Sequence, residues 1–265
     1  MILKKICRVS LGLMVLFSSS CAVSSFNPQT GEVKTTAPSS SLVARGFKEF
    51  DQVKRKKRIS NNSAQNAQVR RVASRLKKVI PIPNAEWEFV VFEDSTPNAF
   101  ALPGGKVGIH SGLFQITKND AGLAAVLGHE IAHVVLNHSQ QRVNQATGLA
   151  IGTVLLDTVL RSQGAKSNDR AAAATGAAAA GALGVVLPHS RKAELDADKL
   201  GTIYMARAGY DPRESVALWG RFSEWRVKEK KGQAPEFLRT HPLDSSRIRE
   251  LRGFLPVATR EYNSR

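Results

Sequence analysis

Apolar positions fall into helical spacing over most of this chain. Ala121, Ala124, Ala125, Leu127, Ile131, Ala132, Val135 and Leu136 recur at three- and four-residue intervals with no proline among them, which predicts a buried helix of about five turns. Asn119 and Asp120 precede it, where a short oxygen-bearing side chain satisfies the first free backbone N–H groups. A second helical stretch covers Arg191 to Ala208, and the stripe Val69, Val72, Leu76, Val79 and Ile80 marks another helix nearer the N-terminus. Glu86 to Glu93 and Lys106 to His110 read as strands, with Pro103-Gly104-Gly105 as the turn before the second. Asp211-Pro212 opens a helix through Trp219, Phe222 and Trp225, and Asp244 opens the last one. The pattern predicts an α+β fold, predominantly helical, with a small β-sheet.

One region departs from amphipathic spacing. In the insertion 146–187, Ala146 to Leu160 is apolar apart from Thr147, Thr153, Asp157 and Thr158, Arg161 to Arg170 is polar, and Ala171 to Leu187 is almost all small or aliphatic. Asp157 interrupts the first arm and the second is short and weakly hydrophobic, so neither reads as a membrane span of about 20 residues. A helical hairpin packed through glycines is the expectation. It would cover a cleft, dip into a lipid surface, form an oligomer contact or pack against the domain.

The chemistry concentrates in His129-Glu130-Ile131-Ala132-His133. Two imidazoles four residues apart share one helix face and can hold one zinc ion, with the glutamate between them placed as a base. A hydrolytic zinc site takes three protein ligands and keeps a fourth position for water, which requires a third ligand downstream. His138, His189 and Glu194 are the candidates. The long HExxHxxGxxH signature fails, because His138 comes nine positions after His129 and is preceded by Asn137 rather than following a glycine turn. His138 also faces away from His133 on a helix, near a C-terminus where a partly cationic ring suits the dipole. Glu194, followed four residues later by Asp198, offers a ligand and a carboxylate to orient a histidine. By spacing alone, the same pair is equally an exposed acidic face beside Arg191, Lys192 and Lys199.

Four ordered segments then carry a resemblance. The HEIAH helix, Ser190 to Asp198, Asn98 to Ile109, and His241-Pro242 followed by Arg247-Ile248 resemble the zinc metallopeptidases related to the CAAX prenyl protease, HtpX and the mitochondrial peptidase OMA. The resemblance extends to periplasmic lipoprotein members such as BepA and LoiP. The resemblance implies a zincin-like (gluzincin) domain with one zinc ion held by His129, His133 and Glu194. Glu130 would be general base and then general acid, and Asp198 would support the ligands. It also implies that Asn98 lies by the cleft and that His241 and Arg247 approach the metal. His241 would either stabilise the oxyanion or occupy the open zinc position. An open sheet edge beside the metal would hold an extended peptide by its backbone.

The N-terminus suggests export. Lys4, Lys5 and Arg8 precede an apolar run from Val9 to Phe17 and Ser18-Ser19-Ser20-Cys21, so 1–20 reads as a signal peptide. Cys21 is the candidate lipidation site, although Ser18 stands where such sites usually carry an aliphatic residue, and Ala22 favours an outer-membrane anchor facing the periplasm. Residues 21–44 then read as lipid anchor and flexible tether and 45–265 as the metallopeptidase domain. Cys7 and Cys21 are the only cysteines, so no disulfide is expected in the mature domain.

Net charge is +16, and twelve basic residues lie between Arg45 and Lys78 against Glu49 and Asp51. The segment has no aromatic interleaving beyond Phe47 and Phe50 and no nucleic-acid motif, which argues against a nucleic-acid partner and leaves acidic lipid or plain solvent. No repeat of about 34 residues is present, so docking through tetratricopeptide repeats is not expected. The function expected is cleavage of misfolded or unassembled cell-envelope proteins. The alternative is a lipid-anchored chaperone or scaffold with little proteolysis; the oligomeric state is left open.

Overall fold

The computed structural model describes residues 24–82, 85–164, 166–171, 190–228 and 236–265. Strands β1 (Ser25–Phe26) and β2 (Val33–Lys34) form a small antiparallel hairpin, followed by helices α1 (Ser40–Lys56) and α2 (Ser63–Lys77). The stretch expected as a tether therefore carries structure from Ser24 on, with Phe26 and Val33 packed on the core and Ser39 capping α1 through Leu42 N. Two apolar side chains anchor the hairpin, and a short capping side chain starts the helix.

Three strands follow, β3 (Glu88–Phe92), β4 (Ala99–Leu102) and β5 (Lys106–His110), in the spatial order β3-β5-β4. β5 is central, parallel to β3 and antiparallel to β4, with Ala99 opposite Ile109 and Leu102 opposite Lys106. The turn between β4 and β5 uses Gly104 and Gly105 at φ of 89° and 92°, a region L side chains rarely adopt. β4 thus lies at the sheet edge. It follows Pro97-Asn98, too short and too weakly patterned to be read as a strand by alternation.

After a turn at Ser111–Leu113 come the short α3 (Phe114–Thr117) and α4 (Asp120–Val135), which carries the HEIAH motif. Asn119 caps α4 by accepting the Gly122 N–H at 2.8 Å. Its side chains are buried all round, with Leu123, Leu127, Ile131 and Ala132 fully so. Each such leucine or isoleucine contributes about 1.5–3 kcal/mol on leaving water. α4 ends at Leu136, and Asn137, in the left-handed region at φ 57°, turns the chain directly into α5 (His138–Ser162).

α6 (Arg191–Arg207), α7 (Arg213–Lys228), α8 (Glu236–Thr240) and α9 (Ser245–Asn263) complete the described chain. α4 and α6 cross at Gly128 and Gly201. A Cβ on Gly201 would stand 2.6 Å from the His129 nitrogen, and one on Gly128 would stand 2.7 Å from the Gly201 carbonyl oxygen. Only hydrogens fit between these main chains, so the turn that bears His129 is pressed onto the helix that carries Glu194.

α5 differs from the expected hairpin arm. It starts at His138 and runs unbroken through 25 residues, and is the one helix among the described residues long and apolar enough to cross a membrane by length and composition. Ile151 and Val154 are 53% and 66% exposed. Asp157, which seemed to interrupt the arm, is flanked by Arg161 and Arg170, each at 2.8 Å. The second arm, beyond Ala171, lies outside the described residues, as do His189 and Cys21.

Candidate active site

Four side chains from three elements converge below β4. His129 and His133 come from α4, Glu194 from the first turn of α6 and His241 from the segment after α8, and all four are buried. One ligand atom from each lies within 4.8 Å of every other. Nε2 of His129 is 3.1 Å from Nε2 of His133 and 3.2 Å from Nδ1 of His241. Glu194 oxygens are 3.5 Å from His129 Nε2, 3.4 Å from His133 Nε2 and 3.1 Å from His241 Nδ1.

These spacings fit a metal. Nitrogen and oxygen donors held tetrahedrally by one zinc at about 2.0–2.1 Å stand about 3.3–3.4 Å apart, close to the separations found. Neutral imidazoles that turn Nε2 toward Nε2 oppose lone pairs, which a cation between them relieves. A buried set of histidines and one carboxylate also suits zinc by donor chemistry.

The electrostatics favour positive charge here. Burial alone would lower the His129 pKa, but Asp198 and Glu194 outweigh it and lift the ring to about 9. Burial would raise Glu194, yet His241 and His129 hold it well below the usual carboxylate range. Glu130 behaves oppositely, because burial lifts its carboxyl and no cation compensates fully. Its Oε1 is 3.3 Å from His241 Nε2 without making a hydrogen bond.

Around the four donors stands a second layer. Asp198 Oδ1 approaches His129 Nδ1 to 3.0 Å, which favours a proton on that nitrogen and leaves Nε2 as the lone pair. Arg247 donates to both Asp198 oxygens at 2.9 Å, and its Nη1 lies 2.9 Å from Glu194 Oε2. The guanidinium also sits over the Trp219 ring, 4.6 Å from its centroid, and donates to the Pro242 carbonyl. The acidic pair that spacing alone left as a surface face is therefore buried at the centre of the site.

His138 is not among the four grouped donors, but its position differs from the expected one. It does not end the first helix as a partly cationic ring; it begins α5 and is buried, with Nδ1 2.8 Å from Nδ1 of His133. Burial pushes its pKa down to about 3, so the ring is neutral and can accept the His133 Nδ1 proton. The signal that would have revealed it is Asn137, a residue type that tolerates the left-handed turn able to fold the next residue back onto the motif. Asn98 is buried just before β4 and its carbonyl accepts the His110 N–H at 2.9 Å, but its side chain makes no hydrogen bond to any of the four donors.

The crevice beside Glu130 is narrow. Pro38, Ala101, Pro103, Glu130, His133 and Val134 line a space of about 20 Å³. That is room for about one water and no peptide. The site has the donor set, adjacent buried carboxylate and flanking strand edge of a metallopeptidase centre.

Residues 63–255 match peptidase family M48. The chain belongs to that family. It is similar to the mitochondrial metalloendopeptidase OMA1 of Schizosaccharomyces pombe, 36% identical over 72% of this chain and 53% of that protein. The protein of the same name in Saccharomyces cerevisiae is 36% identical over 67% of this chain and 49% of its own length. The beta-barrel assembly-enhancing protease of Escherichia coli K12 is 32% identical over 63% of this chain and 34% of its own. The chain spans about half, or less, of each of these relatives. They also correct the expected location. The relatives with 36% identity carry a mitochondrial name, so similarity does not place the chain as an outer-membrane lipoprotein of the periplasm.

Proposed function

We propose that this chain is a zinc endopeptidase that cleaves unfolded or unassembled protein chains, in the quality control of cell-envelope proteins. The four buried donors beside Glu130 and a strand edge carry this reading; the name of the bacterial relatives supports the setting. The same donors, two histidines of α4 and a glutamate of α6, support the gluzincin class of zincin.

His129, His133 and Glu194 would hold the ion, which when bound would supply Lewis acidity toward a water and the scissile carbonyl. Glu130, kept basic enough by burial, removes the proton and returns it to the leaving amine. The free edge of β4, whose Ala101 main chain faces Glu130, aligns an extended backbone by strand addition. Asp198 and Arg247 fix the His129 ring and Glu194.

His241 Nδ1 lies among the other three donors and would be available as a fourth, and with the narrow crevice this supports a resting, closed form rather than an oxyanion-stabilising one. His241→Ala should then raise basal cleavage; a fall would favour the oxyanion role. The closed crevice also favours a second reading, a chaperone or scaffold with little proteolysis. Zinc-loaded wild type should cleave casein and Glu130→Gln should not, while both bind one zinc. Equal, negligible cleavage by wild type, Glu130→Gln and His241→Ala would leave the scaffold reading in place.

A lipid surface is the proposed partner of α5, whose exposed apolar residues include Ile151, Val154, Leu155 and Leu156 and whose last turn carries Arg161. Vesicle flotation tests it, and equal flotation of wild type and Val154→Asp on anionic vesicles would remove it.

A further inference from the structure

A second cavity continues the catalytic crevice along the strand edge. It has a volume of about 350 Å³ and shares Ala101, Pro103 and Ser139 with the space beside Glu130. Its walls are β4 on one side and the first turns of α5 on the other, with Arg45 and Glu49 of α1 and Arg142 of α5 as its charged residues. A chain laid along β4 past Glu130 advances about 3.3 Å per residue and passes directly into this space.

Arg142 is unlike the other two charges. Arg45 and Glu49 pair with each other at 3.4 Å and are half exposed. Arg142 is withdrawn from solvent enough that burial pushes its guanidinium below the ordinary value, yet among the described residues it makes no hydrogen bond or ion pair. The carboxylate whose field reaches it is Glu194, which the metal site already uses. A partly buried guanidinium without a partner is unfavourable by itself, and its planar fork is suited to bidentate capture of a carboxylate. Apolar neighbours Val143 and Ala146 keep the local dielectric low, which strengthens such a pair.

We infer that Arg142 forms a carboxylate subsite in the substrate cleft and selects chains that present an acidic group on the α5 side of the scissile bond. The inference rests on the peptidase reading. The carboxylate comes either from an Asp or Glu side chain or from the C-terminus of the substrate, and both are captured by the same fork.

The test uses zinc-loaded, full-length Glu130→Gln protein, so that bound peptides stay intact, and fluorescence anisotropy as readout. Ten-residue peptides carry Glu, Gln or Lys at each position in turn, with free or amidated C-termini. At one position Glu should bind about tenfold tighter than Gln, equivalent to about 1.4 kcal/mol. Adding Arg142→Gln should erase the ratio, and Arg142→Glu should reverse it toward Lys, with unchanged melting temperatures. If amidation rather than the Glu scan removes tenfold, the group is the chain terminus. Equal affinity for Glu and Gln peptides with either terminus, a preference that survives Arg142→Gln, or no peptide binding overturns the inference. Discrimination retained by a protein that cleaves nothing in the wild-type form counts against the peptidase reading alone.

Discussion

Arg247 grips Asp198 with two parallel hydrogen bonds, Nε to Oδ2 and Nη2 to Oδ1, both 2.9 Å and both buried. The same Asp198 oxygen that takes Nη2 also faces His129 Nδ1. Orientation of the His129 ring is thus handed from α9 through α6 to α4. Replacing Arg247 by Met leaves two buried carboxylates without their cation, and loss of one partner of such a pair costs about 3–5 kcal/mol. Thermal or urea unfolding of apo protein should register this. Arg247→Lys keeps the charge but not the fork, and should restore only part of the stability; full restoration would mean that charge alone matters.

The His133 and His138 rings make a second such relay. His138→Ala removes the acceptor for the His133 Nδ1 proton, and should lower zinc affinity by about 10–100-fold, as loss of an outer partner of a metal ligand typically does. Competition with a chelator of known affinity measures it. His138→Asn, whose side-chain oxygen accepts, should recover most of the loss. Unchanged affinity in His138→Ala would show that His133 is oriented by packing alone.

At the α4–α6 crossing, Gly201→Ala places a methyl group 2.6 Å from a backbone nitrogen that cannot swing aside. Overpacking of this kind costs about 1–3 kcal/mol. It should also separate His129 from Glu194, so zinc binding should weaken more than the urea midpoint falls. Gly148→Ala and Gly152→Ala, inside α5 with nothing within 4 Å, are the controls: they should leave zinc binding unchanged and should not lower the urea midpoint, alanine being the better helix former.

The N-terminus of α4 gives a pH dependence away from the metal. Arg71 donates to both Asp120 oxygens and holds its carboxyl below the usual range. The folded pKa lies below the unfolded value of about 3.9. The contribution is therefore present above about pH 4 and is lost as pH falls through the folded pKa. Asp120 is partly exposed, so the effect should stay within about 1 kcal/mol. Urea midpoints of wild type and Asp120→Asn should differ at pH 7 and converge as pH falls below the folded pKa; a constant difference would place the origin elsewhere.

Legibility in the sequence followed the range of each interaction. α4 was readable because its apolar spacing, Asn119 cap and motif are all local. Glu194 and Asp198 sat at a spacing that served two meanings, and only burial against α4 and Arg247 distinguishes them. His241 and Arg247 lie far along the chain and were visible through family resemblance rather than periodicity. β4 defines the cleft but has four residues, too few for alternation to register. α5 was misjudged because Asp157 counts as a break in one dimension and as a paired group in three.

The close approach at Gly128 and Gly201 has a further consequence for how the centre is gauged. Main chain rests on main chain there, so the distance from the histidine pair to the glutamate is set by two rods in contact rather than by the rotamers of long side chains. The domain carries its own calliper. Metal and substrate meet a frame whose width was fixed when the helices docked, and the adjustable parts are confined to the rings and loops that hang from it.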